Sequence, residues 1–541
     1  MTSKAWRGPD WFEPRLPTSE ECSLGLQLQA RAQAAPDGTF AFFEDGTEVR
    51  NGELLARARA LAAQLRDSGV VSGDIVAVWQ PNSANMLYTI FACAMLGAAA
   101  GQINIAFRGG MLTHALKTMG AKVMVAHGEL VERLADTDHA SLELVIATEP
   151  ATSPKPGVEV RQAARTGGED VEIQTMHPWN LAAIIFTSGT TGPSKGVRVT
   201  CCQFWSLGNA FYGFMGPEDR MLLALPMFHV ASLGALWGAV SAGAAVAVME
   251  VIRADTFWNV IRRTGATATQ GLGTPFLDML LKAPPSAEDR NHTLRRTLLN
   301  YNNATGREFT KRFGVDLYGG FSMSETSAVT LTPLNYEKDQ CVGRPRKGLE
   351  VRLVDENDVE VPVGTMGELI IRTTLPWVIN DGYHGAPEAT VKAWRNGWFH
   401  TGDLMVADDD GDLYYRDRLK DAIRRRGENI SSVEVEAEVR RHPLIEEVAA
   451  IGVRSEDGDE EVLIVVAPRQ GVTVDPAELL EMLIPRMPHY MVPRYVRVMA
   501  ELPKTQTTKV QKTQLRAEGV TADTWDREAA GIRVRRQKLT V

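Results

Sequence analysis

The chain has 541 residues, 44% of them hydrophobic and 23% charged, with a formal net charge of −9. These are the fractions of a globular protein with about three or four domains or subdomains, and the acidic balance argues against a nucleic-acid partner. Five scattered cysteines, odd in number and without a CxxC pair, suggest neither a disulfide framework nor a thiolate zinc site, and a reducing, cytoplasmic setting is expected.

The first residues, MTSKAWRGPDWFEPRLP, are polar and aromatic and lack the apolar core of a signal peptide. Residues 86–106 and 230–249 are uncharged and long enough for a membrane span, but both are rich in Gly, Ala and Ser. The second reads as a buried helix (VASLGALWGAV), a turn (SAGA) and a strand (AVAVM), so no integral membrane segment is expected. DIVAVW, AKVMVA and LELVIA are strand-like runs set among helical patterns, which predicts α/β architecture with mostly parallel, helix-covered sheets. The segment TEPATSPKPGVEV reads as a loop.

At residues 186–197 the chain reads FTSGTTGPSKGV, directly after the buried-strand pattern LAAII and before the strand-like GVRVT. Glycines let backbone N–H groups converge on one point, and hydroxyls and a lysine add donors and charge, so the composition is that of a phosphate cradle. Gly189, Gly192 and Gly196 do not fit the G-x-x-x-x-G-K-[ST] spacing, and no helix pattern follows Lys195, which disfavours an ordinary P-loop NTPase. Past about residue 340 two strand runs flank a polar turn in GLEVRLVDENDVEVPVGTMGELIIRT, an antiparallel unit. From Arg418 a small α+β domain is predicted: helix VEVEAEVRRHP, strands EEVAAIGV and EEVLIVVAP, and helix DPAELLEMLIPRM. The last residues form a basic, solvated tail.

Five motifs in order, FTSGTTGPSKGV, YGGFSMSET, GWFHTGDL, DRLKDAIRRRGENISSVEVE and LPKTQTTKVQK, resemble those of the adenylate-forming superfamily of acyl-CoA synthetases, adenylation domains and luciferases. The resemblance implies a large N-terminal domain, residues 1–417, and a small mobile C-terminal domain, residues 418–541, hinged near Lys420. It implies an enzyme, an AMP-forming acid–thiol ligase using ATP, Mg²⁺ and coenzyme A on a small carboxylic acid. GWFHTGDL with GENISSVEVE looks most like stand-alone CoA ligases of the fatty-acyl or crotonobetaine/carnitine type. Two alternatives stand beside it: an adenylation enzyme loading a carrier protein, and a non-catalytic nucleotide-binding protein.

By the same resemblance, Thr187, Ser188, Gly189, Thr190, Thr191 and Lys195 handle the β- and γ-phosphates of ATP. Glu325 holds Mg²⁺ with the Ser324 hydroxyl beside it, where the family usually has Thr, and Phe321 faces adenine where the family usually has Tyr. Asp403 accepts the ribose hydroxyls, and Arg418 is a second ribose contact, a role that competes with an ion pair to Asp417 or Asp421. Lys509 bridges the attacking carboxylate and the α-phosphate, in TTK where the family commonly reads SGK. Lys504 reads as a surface charge. His229 in LPMFHVAS sits beside the acyl pocket or is a satisfied core histidine. GLGTP is a candidate pocket wall, and Trp205, Phe228 and Trp237 are pocket-lining or plain core. Gly427 borders the pantetheine path, and Arg424, Arg425 and Arg426 beside it either anchor the CoA phosphates or form a solvated face.

Overall fold

The structure, a computed structural model, describes residues 8–138, 141–153, 157–187, 194–299, 301–418, 421, 423–425, 428–430, 432–454, 460–487, 491–505 and 509–534. Its contacts form two compact units: Met1–Val351 with Ile371–Phe399 and Asp410–Leu413, and Arg352–Ile370 with His400–Asp409 and Tyr414–Val541. That is fewer than the length implies. The physical reason is that one continuous core runs from Val76 and Ala100 of one sheet through Phe204 and Leu236 to Met221 and Val246 of another.

The first unit is α/β, as predicted, and among the described residues it carries two seven-stranded sheets. In one, Asp316–Gly319, Arg296–Leu299, Ala268–Leu272, Arg220–Leu223, Ala245–Val248 and Thr39–Phe43 run parallel, and Glu48–Arg50 closes the edge antiparallel. In the other, Glu159–Gln162, Leu144–Ala147, Val123–Ala126, Ile75–Trp79, Ala99–Gln102 and Leu181–Thr187 run parallel, and Lys195–Thr200 closes the edge antiparallel. Parallel strands buried on both faces read as continuous apolar runs, which is why they were legible. Glu159–Gln162 corrects the loop reading of TEPATSPKPGVEV: this short polar strand exists because it pairs in register with Leu144–Ala147.

The uncharged stretches resolve as core elements. Ser83 caps the helix Ala84–Leu96 through the Met86 amide, and Gly97, at φ +70°, turns the chain into the strand Ala99–Gln102. The helix Val230–Ser241 packs against Cys201–Tyr212 at close range. A Cβ on Gly208 would lie 2.6 Å from the Gly234 carbonyl oxygen, so only glycine fits there. No helix of the described residues is long and apolar enough to cross a membrane. All five cysteines are free and buried. Burial pushes the thiols of Cys22, Cys93 and Cys202 up to about 12, which leaves them poor nucleophiles.

In the second unit, Ile445–Arg454, Glu460–Pro468, Tyr495–Val498 and Trp525–Asp526 form a four-stranded sheet. Its two faces are covered differently. The helices Ser432–Val439 and Pro476–Leu483, together with Ile423 and Ile430, bury the side of Val448, Ala450, Val462 and Ile464. Leu502, Val510 and Leu515 bury the side of Ala449, Ile451, Leu463 and Val465.

Candidate active site

In open α/β sheets, ligands gather at the carboxyl ends of parallel strands. In the first unit the predicted residues lie there. Thr187 ends its strand, and the antiparallel partner begins at Lys195, so the glycine-rich segment joins two adjacent strands. Ser188, Gly189, Thr190 and Thr191 lie outside the described residues. His229 follows the strand Arg220–Leu223 and sits at the N-terminus of the helix Val230–Ser241. It is exposed, with its ring 4.6 Å from that of Phe228, so the buried-core alternative does not hold for it. Residues 321–325 follow the strand Asp316–Gly319; Phe321 and Ser324 are half-buried and Glu325 is buried. Trp205, Phe228 and Trp237 are buried, with Trp237 stacked on Phe204 at 5.8 Å.

The segment around Glu325 is held by three side chains that sequence reasoning missed. Gln203, buried on the helix Cys201–Tyr212, donates to the carbonyls of Ser324 (3.0 Å) and Thr326 (3.1 Å). Asn380 donates to the Glu325 carbonyl through its amide N–H (2.9 Å) and its Nδ2 (2.8 Å). Arg346, 2% exposed, donates to the Ala328 carbonyl and to the hydroxyls of Ser206 (2.9 Å) and Ser327 (2.7 Å). Burial pulls the Arg346 pKa down to about 9, which still leaves it charged at neutral pH. The available signal was a polar residue amid apolar ones, as in CCQFW. Arg346→Leu would strand two buried hydroxyls and a carbonyl. Unpaired buried groups cost about 1–3 kcal/mol each, so a loss of about 3 kcal/mol is expected in a denaturant titration of the full chain.

Tyr383 was missed too. Its Oη donates to Glu325 Oε1 at 3.0 Å, and the Lys195 ammonium lies 4.8 Å from its ring centroid. The backbone explains the meeting. Residues 381–384 lie along Lys195–Thr200: the Arg198 amide donates to the Gly382 carbonyl (3.0 Å), the Asp381 amide to the Arg198 carbonyl (3.0 Å) and the His384 amide to the Gly196 carbonyl (2.7 Å). An ion pair between Arg198 and Asp381 at 2.8 Å reinforces it.

In the second unit, the two ribose candidates are brought together. Arg418 Nε lies 2.7 Å from Asp403 Oδ1, with Asp403 fully buried and Arg418 half-exposed. The acids that competed for Arg418 are engaged elsewhere: Asp421 pairs with Arg516 at 2.7 Å, and Asp417 accepts the amides of Arg418 (2.7 Å) and Ser432 (2.5 Å). The neighbouring His400 is buried between Glu368 (2.9 Å) and Asp358 (3.7 Å). Lys509 is exposed on a hairpin in which the Thr505 amide donates to the Lys509 carbonyl (2.7 Å) and Lys504 bridges Val510. Lys504 pairs with Glu447 at 2.8 Å. Arg425 is neither solvated nor an anchor for a ligand: it is buried in an ion pair with Glu461 at 2.6 Å. Lys420, Arg426 and Gly427, and the side chain of Arg424, lie outside the described residues.

Residues 28–383 match the family model described as AMP-binding enzyme, and residues 434–509 match the AMP-binding enzyme C-terminal domain. Feruloyl-CoA synthase of Amycolatopsis sp is 32% identical over 504 residues, covering 91% of this chain and 98% of that protein. Crotonobetaine/carnitine–CoA ligase of Salmonella arizonae is 28% identical over 461 residues, covering 83% and 89%. Among solved structures, ATP-bound MatB from Rhodopseudomonas palustris superposes with a TM-score of 0.78 at 26% identity, covering 92% of this chain and 98% of that one. The homologues are thus acyl-CoA ligases and synthetases.

Proposed function

The chain belongs to the AMP-binding enzyme family, and on that premise we propose that it is a cytoplasmic ATP-dependent acid–CoA ligase. A carboxylate attacks the α-phosphate of ATP, pyrophosphate leaves, and the CoA thiol then displaces AMP from the acyl-adenylate. The observation that carries this reading is the Lys195–Tyr383–Glu325 constellation at the foot of the glycine-rich segment: a cation for phosphate oxygens beside a carboxylate. The likeness to ATP-bound MatB supports ATP as the nucleotide, and the named CoA ligases support CoA as the thiol.

Thr187, Ser188, Gly189, Thr190, Thr191 and Lys195 surround the β- and γ-phosphates, and Phe321 covers adenine. The hydroxyl of Ser324 and the carboxylate of Glu325 are hard oxygen donors of the kind that suit Mg²⁺, which when bound screens the phosphate charge. Asp403, with Arg418, receives the ribose diol. Lys509 bridges the two anionic reactants, and His229, exposed at a helix start, contacts the substrate carboxylate or gates the acyl site. Gly427 borders the path of the CoA arm. Residues 1–417 and 418–541 act as two domains joined at Lys420.

Glu325→Gln exchanges a charged ligand for a neutral one. The Mg²⁺ concentration for half-maximal ATP–pyrophosphate exchange is expected to rise about tenfold or more, and an unchanged titration would remove Glu325 from this role. The function itself is tested by screening acids, crotonobetaine and ferulate among them, for acid-dependent pyrophosphate release, followed by thioester formation with free CoA. Release that requires an acid is the expected result. Adenylation without transfer to free CoA would point to a carrier protein, and AMP binding without turnover to a non-catalytic protein.

A further inference from the structure

The two charged groups at the foot of the glycine-rich segment have opposite sign and meet one aromatic side chain, one at the face of its ring and the other at its hydroxyl. Lys195 lies over the face of Tyr383, and Glu325 accepts the hydroxyl at the ring's far end. We propose that Tyr383 is a positioning residue, a spacer that keeps the Lys195 ammonium and the Glu325 carboxylate from neutralising each other, so that both reach the metal–nucleotide charged. The inference rests on the ligase reading above.

The spacer is fixed by the backbone. Tyr383 bridges Val197 antiparallel, and its own amide donates to Thr390 Oγ1 at 2.9 Å. Lys195 and Val197 are two residues apart on one strand and share a face, so a ring opposite Val197 reaches Lys195 diagonally. Glu325 comes from the other side on the segment held by Gln203 and Asn380. A lysine has a long, flexible stem and seeks the nearest carboxylate. The aromatic face gives the ammonium a neutral resting place that it leaves at small cost. The hydroxyl gives the carboxylate a donor without taking its charge. A lysine–glutamate ion pair in the same place would have to be broken before phosphate or metal could bind.

Two variants separate the ring from the hydroxyl. Tyr383→Phe keeps the ring under Lys195 and removes the donor to Glu325. Tyr383→Leu removes both and opens the way for Lys195 to reach Glu325. The probes are Mn²⁺ with the β,γ-imido analogue of ATP, followed by electron paramagnetic resonance of the bound Mn²⁺, and AMP alone, followed by calorimetry. AMP lacks the phosphates that Lys195 serves. The expected result is weaker Mn²⁺–analogue binding by about tenfold in Tyr383→Phe and more in Tyr383→Leu, with AMP affinity and melting temperature close to the parent. A merely structural tyrosine would lower AMP affinity and melting temperature together with Mn²⁺–analogue binding, and that result overturns the proposal. So does unchanged Mn²⁺–analogue binding in both variants. If the parent protein itself fails to bind Mn²⁺ and the analogue, the ligase reading falls first and takes this inference with it.

Discussion

Lys509→Ala is expected to lower ATP–pyrophosphate exchange about 150-fold and to leave thioester formation from supplied acyl-adenylate within a small factor of the parent. Removing one charge aimed at developing negative charge costs about 3 kcal/mol, which is the source of that factor. The two reactants of the first half-reaction are both anions, so a cation between them acts on the barrier itself. No such repulsion exists when a thiol attacks the acyl carbon. The position of Lys509 makes the experiment clean. The side chain is exposed, and its hairpin is held by backbone contacts, Thr505 amide to Lys509 carbonyl at 2.7 Å and Gln511 amide to Pro503 carbonyl at 2.8 Å, and by Leu502 and Val510 against the sheet. Truncation to Ala removes charge without opening a cavity, so the melting temperature is expected to stay where it is. Equal loss in both half-reactions would show that Lys509 does not act on α-phosphate displacement alone.

What the sequence reveals of this molecule depends on whether a signal is local. Residues 230–249 are legible as helix, turn and strand because small apolar residues, a glycine-bearing turn and a short Val run each carry their own preference. Glu159–Gln162 is not legible, since only its pairing with Leu144–Ala147 makes it a strand. The same distinction holds at the site. The glycine-rich segment declares a phosphate cradle by composition, and the five motifs name the family by their order. Tyr383 reaches Lys195 across 188 positions of sequence only because residues 381–384 lie along the strand Lys195–Thr200. Arg346 reads as one more basic residue in GRPRKG until its partners prove to be neutral oxygens. Arg425 misled in the opposite direction: it stands in a basic run, yet Glu461, 36 positions away, buries it in an ion pair. The role of Lys509 cannot be derived from physics alone, because an exposed lysine on a hairpin looks like any other until its place after the other motifs is considered.

The second large effect is expected at Lys420, which lies outside the described residues but whose surroundings bear on it. The small domain carries two hairpins that bear candidate residues. The strands Ile423–Arg425 and Glu428–Ile430 flank Gly427, and their Ile423 and Ile430 pack on one face of the four-stranded sheet. The hairpin of Lys509 packs through Leu502 and Val510 on the opposite face. Two loops anchored to opposite faces of one rigid sheet cannot both be presented to a single reacting centre in one orientation. If Lys509 serves adenylation and Gly427 serves thioester formation, the domain has to turn between the two halves, and a few backbone dihedrals near residue 420 have to absorb the rotation. Proline at 420 fixes its own φ near −65° and pushes Leu419 out of the helical region. Lys420→Pro is therefore expected to hold the domain in the orientation that places Lys509. ATP–pyrophosphate exchange should survive, and CoA transfer from supplied acyl-adenylate should fall about a hundredfold or more, the size of a penalty of about 3 kcal/mol. An ordinary exposed lysine at this place would give a different result, a mild loss shared by both halves. Parallel decline of the two assays in a protein with the parent's circular dichroism and melting temperature would rule out the hinge. Loss of exchange with transfer intact would mean that proline holds the domain in the opposite orientation, with Gly427 and not Lys509 at the reacting centre.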